Sequence, residues 1–165
     1  MVEMSGTNSI NPSVMSKPTE FTDVFPPPYI RTVAIALIRR GDRILVAEGF
    51  DNKSQTHFYR ALGGGIEFGE TSWDGLVREF QEELSTEIVQ AQYLGCLENI
   101  FECYGNPGHE VVFVYECEFS DRSLYGPDEI TFIEGDTQKL AKWIAVSEFK
   151  SGDRRLVPEM FATYL

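Results

Sequence analysis

The stretch Gly63–Thr86, GGGIEFGETSWDGLVREFQEELST, decides the fold and the chemistry expected of this chain. It opens with three consecutive glycines, passes through a short acidic loop and continues with a periodic apolar run. Because apolar residues recur at intervals of three and four, the run predicts an amphipathic helix over Ser72–Leu84. Thr71, with Asp74 three residues later, predicts the N-terminal cap of that helix.

The helix carries three carboxylates, Glu79, Glu82 and Glu83, on a flank beside its apolar face. At about 100° per residue, Glu83 lies closest to the apolar edge. A solvated charged face is the ordinary interpretation of such a helix. However, Glu79 and Glu83 form a like-charge pair that costs about 0.2–0.5 kcal/mol without a counterion, and a divalent cation would reverse that cost. Because the donors are hard carboxylate oxygens, they favour Mg²⁺ or Mn²⁺ over zinc.

The glycines just upstream permit close approach of the backbone and precede a helix N-terminus, where free N–H groups attract anions. Backbone carbonyls of this loop are therefore candidates to complete a metal shell. Glu70 and Arg78 have the opposite charges needed for an ion pair that ties the loop to the helix, and a structural and a catalytic role for this pair both stay open.

The spacing of these residues resembles the Nudix box. Gly64 is followed after five residues by Glu70, and after seven more by the run 78–83, REFQEE. Ser85 and Thr86 depart from the pattern, which has a glycine and an aliphatic residue at these positions. Because serine adopts the left-handed conformation less readily than glycine, we expect an altered exit from the helix.

The resemblance implies a hydrolase that uses Mg²⁺ or Mn²⁺ to cleave the diphosphate bond of a nucleoside diphosphate linked to another moiety. It implies that Glu79, Glu82 and Glu83 are the catalytic carboxylates and metal ligands, assisted by the backbone of Gly63 or Gly64. It also makes Glu79 a candidate for orienting or deprotonating the attacking water. Two alternatives stay open: a catalytically silent nucleotide-binding or regulatory module, and an isoprenoid-diphosphate isomerase.

Outside this stretch the chain alternates strand-like runs with few helices, which predicts an α/β (α+β) fold, and the resemblance implies an α/β/α sandwich with a mixed sheet. Residues 1–28, rich in Ser, Asn, Thr and Pro, are predicted to form a flexible N-terminal arm before a single domain over 29–165. The clearest strand is His109–Phe119, after a predicted turn at 106–108. A closing helix is predicted over Pro158–Leu165.

Further site candidates lie outside the box. Arg60, His109 and Glu110 are candidates for substrate binding, although an isolated Arg or His is more often a surface or structural residue. The resemblance implies an additional carboxylate from a later loop, and Glu134 or Asp136 is the candidate. Each of these acids also has the ordinary interpretation of a surface residue.

Composition limits the partners and the compartment. A formal net charge of −12 opposes general binding to nucleic acid or anionic membranes. The three cysteines form no CxxC pair and the chain has no long apolar run, so we expect a cytoplasmic protein without a disulfide framework. The expected partner is a small nucleotide-type diphosphate, and a homodimer stays open.

Overall fold

The computed structural model describes residues 26–103 and 105–165. The predicted arm, residues 1–28, lies outside this part of the chain except for its last three residues. The described strands and helices are β1 (Arg31–Leu37), β2 (Arg39–Arg40), β3 (Arg43–Asp51), β4 (Thr56–Arg60), β5 (Leu62–Gly65), α1 (Ser72–Leu84), β6 (Ile88–Cys103), β7 (Asn106–Phe119), β8 (Glu129–Glu134), β9 (Thr137–Ala145), α2 (Val146–Lys150) and β10 (Leu156–Val157). Single 3₁₀ helices cover Arg122–Tyr125 and Glu159–Tyr164.

The strands form two mixed sheets. The first sheet has the order β5-β1-β7-β6, in which β1 and β7 are parallel and the other pairs are antiparallel. The second has the order β10-β4-β3-β9-β8, with β2 beside β3, and only β10 and β4 pair in parallel. The predicted α/β (α+β) architecture with a mixed sheet is therefore confirmed, with its strands divided between two sheets.

The central strand β1 is covered on both faces, and this defines the layers. Its residues 33–37 are all buried, as expected for a strand with no solvent-facing side. Ala34 belongs to the core cluster that contains Leu76 and Phe80 of α1. Val33 belongs to the opposite cluster, which contains Phe161 of the C-terminal 3₁₀ helix. Helical elements thus cover both sides, as in an α/β/α sandwich.

Helix α1 has the bounds that the periodicity predicts. The Thr71 side chain accepts a hydrogen bond from the backbone N–H of Asp74 at 3.1 Å, which caps the first turn. At the other end Ser85 adopts φ 52° and ψ 38°, and its N–H donates to the Gln81 carbonyl at 3.1 Å. Ser85 therefore ends the helix in the left-handed conformation that a glycine would adopt, and the expectation of an altered exit is wrong.

Several local predictions differ from the structure. The sequence also predicts one strand over His57–Leu62, but the structure divides this run between β4 in the second sheet and β5 in the first. The turn predicted at residues 106–108 lies within β7, and the closing helix is a 3₁₀ helix. None of the helices in the described ranges is long and apolar enough to cross a membrane.

Candidate active site

The glycine strand β5 is the edge strand beside β1, and helix α1 packs against both strands. Two glycines of β5 lie where a side chain would not fit. At Gly63, whose φ is +137°, an added Cβ would lie 2.1 Å from the carbonyl oxygen of Ala34. At Gly64, an added Cβ would lie 2.3 Å from Cδ of Glu79 and 2.5 Å from its Oε2. The glycines thus let β5 pack on β1 and let the Glu79 carboxylate lie directly over the backbone of the loop.

Arg78 ties this loop to the helix. Its Nε donates to Oε1 of Glu70 at 2.8 Å and its Nη2 donates to Oε2 at 3.1 Å, which is a bidentate pair. Nη2 also donates to the carbonyl of Gly65 at 2.7 Å. Glu70 accepts the backbone N–H of Glu67 at 2.9 Å as well, and these bonds hold its pKa below the ordinary value, the Arg78 bond most strongly. The loop before α1 is therefore fixed at both of its ends.

Arg78 also holds two of the three helix carboxylates. Its Nη1 lies 3.1 Å from Oε1 of Glu79 and 3.2 Å from Oε2 of Glu82. The Glu79 side chain is 16% exposed, whereas that of Glu82 is 60% exposed. Because hydrogen bonds to carboxylates, chiefly that of Glu70, raise the pKa of Arg78, the guanidinium is a permanent positive charge beside them.

Glu83 is partly buried and lies beside two other carboxylates. Burial first, and then the negative charges of Glu134 and Glu79, raise its pKa to about 7, while Arg60 and Lys139 act in the opposite direction. The structure therefore brings Glu83 together with Glu79 from its own helix and with Glu134 from the second sheet. Lys139 was not singled out in the sequence, although it lies five residues after Glu134, on the other strand of the same hairpin.

Glu134 is held by two cations. It ends β8 and pairs with Arg60 of β4 and with Lys139 of β9. Burial alone would raise the pKa of Glu134, but the two cations outweigh burial and hold the pKa below its ordinary value. Asp136 lies two residues further on, in the turn between β8 and β9, and its side chain is exposed.

His109 and Glu110 lie in a different part of the first sheet. Glu110 accepts a hydrogen bond from Nη1 of Arg31 at 3.2 Å and from Nδ2 of Asn99 at 3.1 Å. Its described contacts therefore join β7 to β1 and β6 and do not involve the carboxylates of α1. Nε2 of His109 is buried and has no hydrogen-bond partner among the described residues.

The donor set fits a hard divalent cation. Over residues 26–103 and 105–165, no three Asp, Glu, His or Cys side chains form a ready-made ligand cluster, and Arg78 pairs with both Glu79 and Glu82. The donors are nevertheless all oxygens, and Glu83 lies close to the carboxylates of Glu79 and Glu134. The space beside Glu79 also exists only because Gly64 has no side chain. These features suit Mg²⁺ or Mn²⁺.

A concave region lies on the face of β4 opposite Glu134. A cleft of about 550 Å³ is lined by nine residues, among them Glu48, Tyr59 and Arg154. The Tyr59 hydroxyl donates to Oε1 of Glu48 at 2.9 Å, and the Arg154 guanidinium lies 5.0 Å from the centre of the Tyr59 ring. Lys142 donates to Oε2 of Glu48 at 2.8 Å, and this bond is the main cause of a lowered Glu48 pKa. Tyr59 and Arg60 are consecutive strand residues, so the cleft and Glu134 lie on opposite faces of β4.

Comparison with known sequences points to one family. Residues 28–162 match the family model described as NUDIX domain. The chain is 33% identical over 122 residues to the NAD-capped RNA hydrolase NudC of Pseudomonas putida, covering 73% of this chain and 38% of that protein. The chain therefore spans less than half the length of the curated relatives that it matches.

Solved structures agree with that family. The chain is similar to the crystal structure of MutT NUDIX hydrolase from Burkholderia pseudomallei, with a TM-score of 0.55 and 25% identity, covering 72% of this chain and 85% of the other. It is also similar to a NUDIX hydrolase from Nitrosomonas europaea, with a TM-score of 0.56 and coverage of 82% and 87%. At 16% identity, the second likeness supports the fold alone.

Proposed function

The chain belongs to the Nudix family, and we propose that it is an enzyme that hydrolyses the diphosphate bond of a nucleoside diphosphate linked to another moiety. The observation that carries this proposal is that the Glu79 carboxylate lies directly over the Gly64 backbone and that Glu83 of the same helix lies close to it. A binding module would need neither this concentration of carboxylate charge nor the exclusion of a side chain beside Glu79. The reaction is an attack of water at phosphorus.

Metal binding is the first role that we assign to the helix. Glu79, Glu82 and Glu83, with the backbone of Gly63 or Gly64, would hold Mg²⁺ or Mn²⁺. When bound, the cation supplies positive charge for the diphosphate oxygens and lowers the pKa of water. The oxygen-only character of these donors supports the assignment.

The chain's own residues supply position and proton transfer. Glu79 packs over the Gly64 backbone, where it is a candidate to orient water or to accept its proton. The pair of Arg78 with Glu70 holds the helix and the loop together, which keeps Glu79 in place. Arg60 supplies a positive charge near Glu83, where a phosphate of the substrate would lie.

The substrate is a small nucleotide-type diphosphate in this proposal. The relative from Pseudomonas putida is named a NAD-capped RNA hydrolase, so NAD and NAD-capped RNA are a second candidate substrate class. The net charge of −12 favours the small dinucleotide, because binding of an RNA backbone draws on cationic surface. We also assign the protein to the cytoplasm, since its three cysteines are free thiols.

A substrate panel with a matched pair of variants tests the proposal. Nucleoside triphosphates, nucleotide sugars, ADP-ribose, NAD, dinucleoside polyphosphates and NAD-capped RNA are incubated with Mg²⁺, with Mn²⁺ and with EDTA. Glu83→Gln should remove most turnover without lowering the Tm, whereas Glu87→Gln, an exposed acid just beyond the helix, should retain turnover. Absence of a metal-dependent product from every substrate, or an unchanged kcat for Glu83→Gln, would contradict it.

A further inference from the structure

A chain with a net charge of −12 needs local cations if it is to bind a diphosphate. Around Glu83, the structure places Arg60 and Lys139. Arg78 is also close by, but it already donates to Glu70, to the Gly65 carbonyl and to two helix carboxylates. Among the described residues that act on Glu83, Arg60 and Lys139 are therefore the cations with capacity to receive an incoming phosphate.

Strand register puts these two cations on one surface. Arg60 of β4 pairs with Ala47 of β3, and Ala47 pairs with Ala141 of β9, so the three side chains form a row on one face of the second sheet. Lys139 lies two residues before Ala141 and therefore points to the same face. Both alanines belong to the core cluster that contains α1, so this face is directed toward the helix.

Glu134 connects the two cations. One of its oxygens, Oε1, pairs with Nη2 of Arg60, and the other, Oε2, pairs with Nζ of Lys139. The Arg60 and Lys139 side chains are 31% and 39% exposed. A guanidinium has five N–H donors and an ammonium has three, so each cation retains donors for a phosphate after pairing with one carboxylate oxygen.

We propose that Glu134 is a positioning residue that holds Arg60 and Lys139 as a pair of phosphate-binding cations, and that it is not a metal ligand. The inference rests on the proposed function, because it concerns how the same site binds a diphosphate. Both oxygens of Glu134 already pair with a cation, whereas the exposed carboxylate of Glu82 pairs, among the residues that the structure describes, with Arg78 alone. A fixed pair of cations binds a phosphate with less loss of side-chain entropy than two free side chains.

A double-mutant cycle on Arg60 and Glu134 tests the coupling. Substrate KM is measured for wild type, Arg60→Gln, Glu134→Gln and the double variant, and Mn²⁺ affinity is measured by calorimetry for the same proteins. We expect Arg60→Gln to raise KM about tenfold in the wild-type background, the loss of one charge-assisted hydrogen bond. In the Glu134→Gln background it should raise KM less than threefold, because the cation is no longer held in place.

Metal affinity separates this role from metal ligation. Glu134→Gln should leave Mn²⁺ affinity within twofold of wild type, whereas Glu83→Gln should weaken it at least tenfold. Lys139→Gln should raise KM as Arg60→Gln does. The matched controls are Glu129→Gln and Lys142→Gln, which change an acid of β8 and a cation of β9 that pair with each other on the opposite face. Neither control should change KM.

Each result decides the inference. A tenfold loss of Mn²⁺ affinity in Glu134→Gln would make Glu134 a metal ligand and overturn it. Independent effects of Arg60→Gln and Glu134→Gln, or a change confined to kcat, would also overturn it. If wild type turns over no substrate, the Kd of inorganic pyrophosphate is measured by calorimetry with Mn²⁺ for the same four proteins. Coupling between Arg60 and Glu134 in that Kd would support the inference although the proposed hydrolase activity fails. Absence of coupling would overturn the inference.

Discussion

Substitution of alanine for each of the three consecutive glycines in β5 separates catalysis from folding. At Gly64, an added Cβ would lie 2.3 Å from Cδ of Glu79. Restoring an ordinary contact of 3.4 Å requires the carboxylate to retreat by about 1 Å, and a misplacement of that size can lower turnover about 100-fold. The displaced group is the end of a flexible side chain, so we expect Gly64→Ala to cost less than about 1 kcal/mol of stability.

Alanine at the two neighbouring glycines should affect stability differently. Gly63→Ala would place Cβ 2.1 Å from the Ala34 carbonyl oxygen and 2.9 Å from Cα of Ile35 at φ +137°. These are backbone atoms that cannot move aside, so backbone strain and overpacking should together cost about 2–5 kcal/mol. At Gly65 nothing lies within 4 Å of the added Cβ, and alanine should be neutral or stabilise the strand by about 0.5 kcal/mol.

Three measurements on each variant check this reasoning. Unfolding in urea gives the stability, thermal melting gives the Tm, and metal-dependent turnover gives kcat on whichever substrate the panel identifies. Gly64→Ala should lose kcat and retain Tm, Gly63→Ala should lower Tm by about 5 °C or more, and Gly65→Ala should retain both. Retention of kcat within twofold in Gly64→Ala would refute the assignment of Glu79 to the reaction. Equal stability of Gly63→Ala and wild type would refute the packing argument.

Three further predictions concern stability and accessibility. Arg78→Lys should lower the free energy of unfolding by about 2 kcal/mol, because an ammonium cannot form the bidentate pair with Glu70. Its urea midpoint should therefore be lower than that of wild type, and equal midpoints would contradict this. Glu48→Gln should destabilise the protein more at pH 7 than at pH 3. The folded pKa of Glu48 is lowered, mainly by Lys142, so its contribution is complete above the unfolded pKa and is lost as pH falls through the folded one. Urea midpoints at both pH values measure this, and a gap as large at pH 3 as at pH 7 would contradict it. A maleimide should label exposed Cys96 rapidly in the native protein and buried Cys117 only after unfolding, since burial raises the pKa of Cys117 to about 12; mass spectrometry of labelled peptides reads this out.

Local features of the box could be predicted because they depend on near neighbours in sequence. Helix α1 over Ser72–Leu84 follows from apolar spacing and a capping threonine, and both act within one turn of helix. Prediction was poorer where an element depends on distant partners. The strand expected to end at Leu62 is divided because β4 pairs with β3 while β5 pairs with β1, and a local apolar pattern cannot distinguish two sheets.

The residues of the candidate site also fall into two groups: those that local spacing indicated and those that only the tertiary structure brings together. Glu79, Glu82 and Glu83 lie within one helical turn or so of each other, so their spacing alone indicated a shared flank. Glu134 was one of two later acids that the sequence left open, and Arg60 was an isolated arginine. Their pairing joins residues 74 positions apart and includes Lys139, which the sequence did not single out.

The sequence by itself determined the family resemblance, the acidic helix and the glycine loop beside it, because spacing within 24 residues carries that information. Only the tertiary structure decided which distant groups surround Glu83, and that Ser85 can end the helix as a glycine would. The physical reason is that strand pairing between β3, β4, β8 and β9 sets those distances. Strand pairing depends on several segments that meet in the assembled sheet, so the sequence of one segment does not determine it.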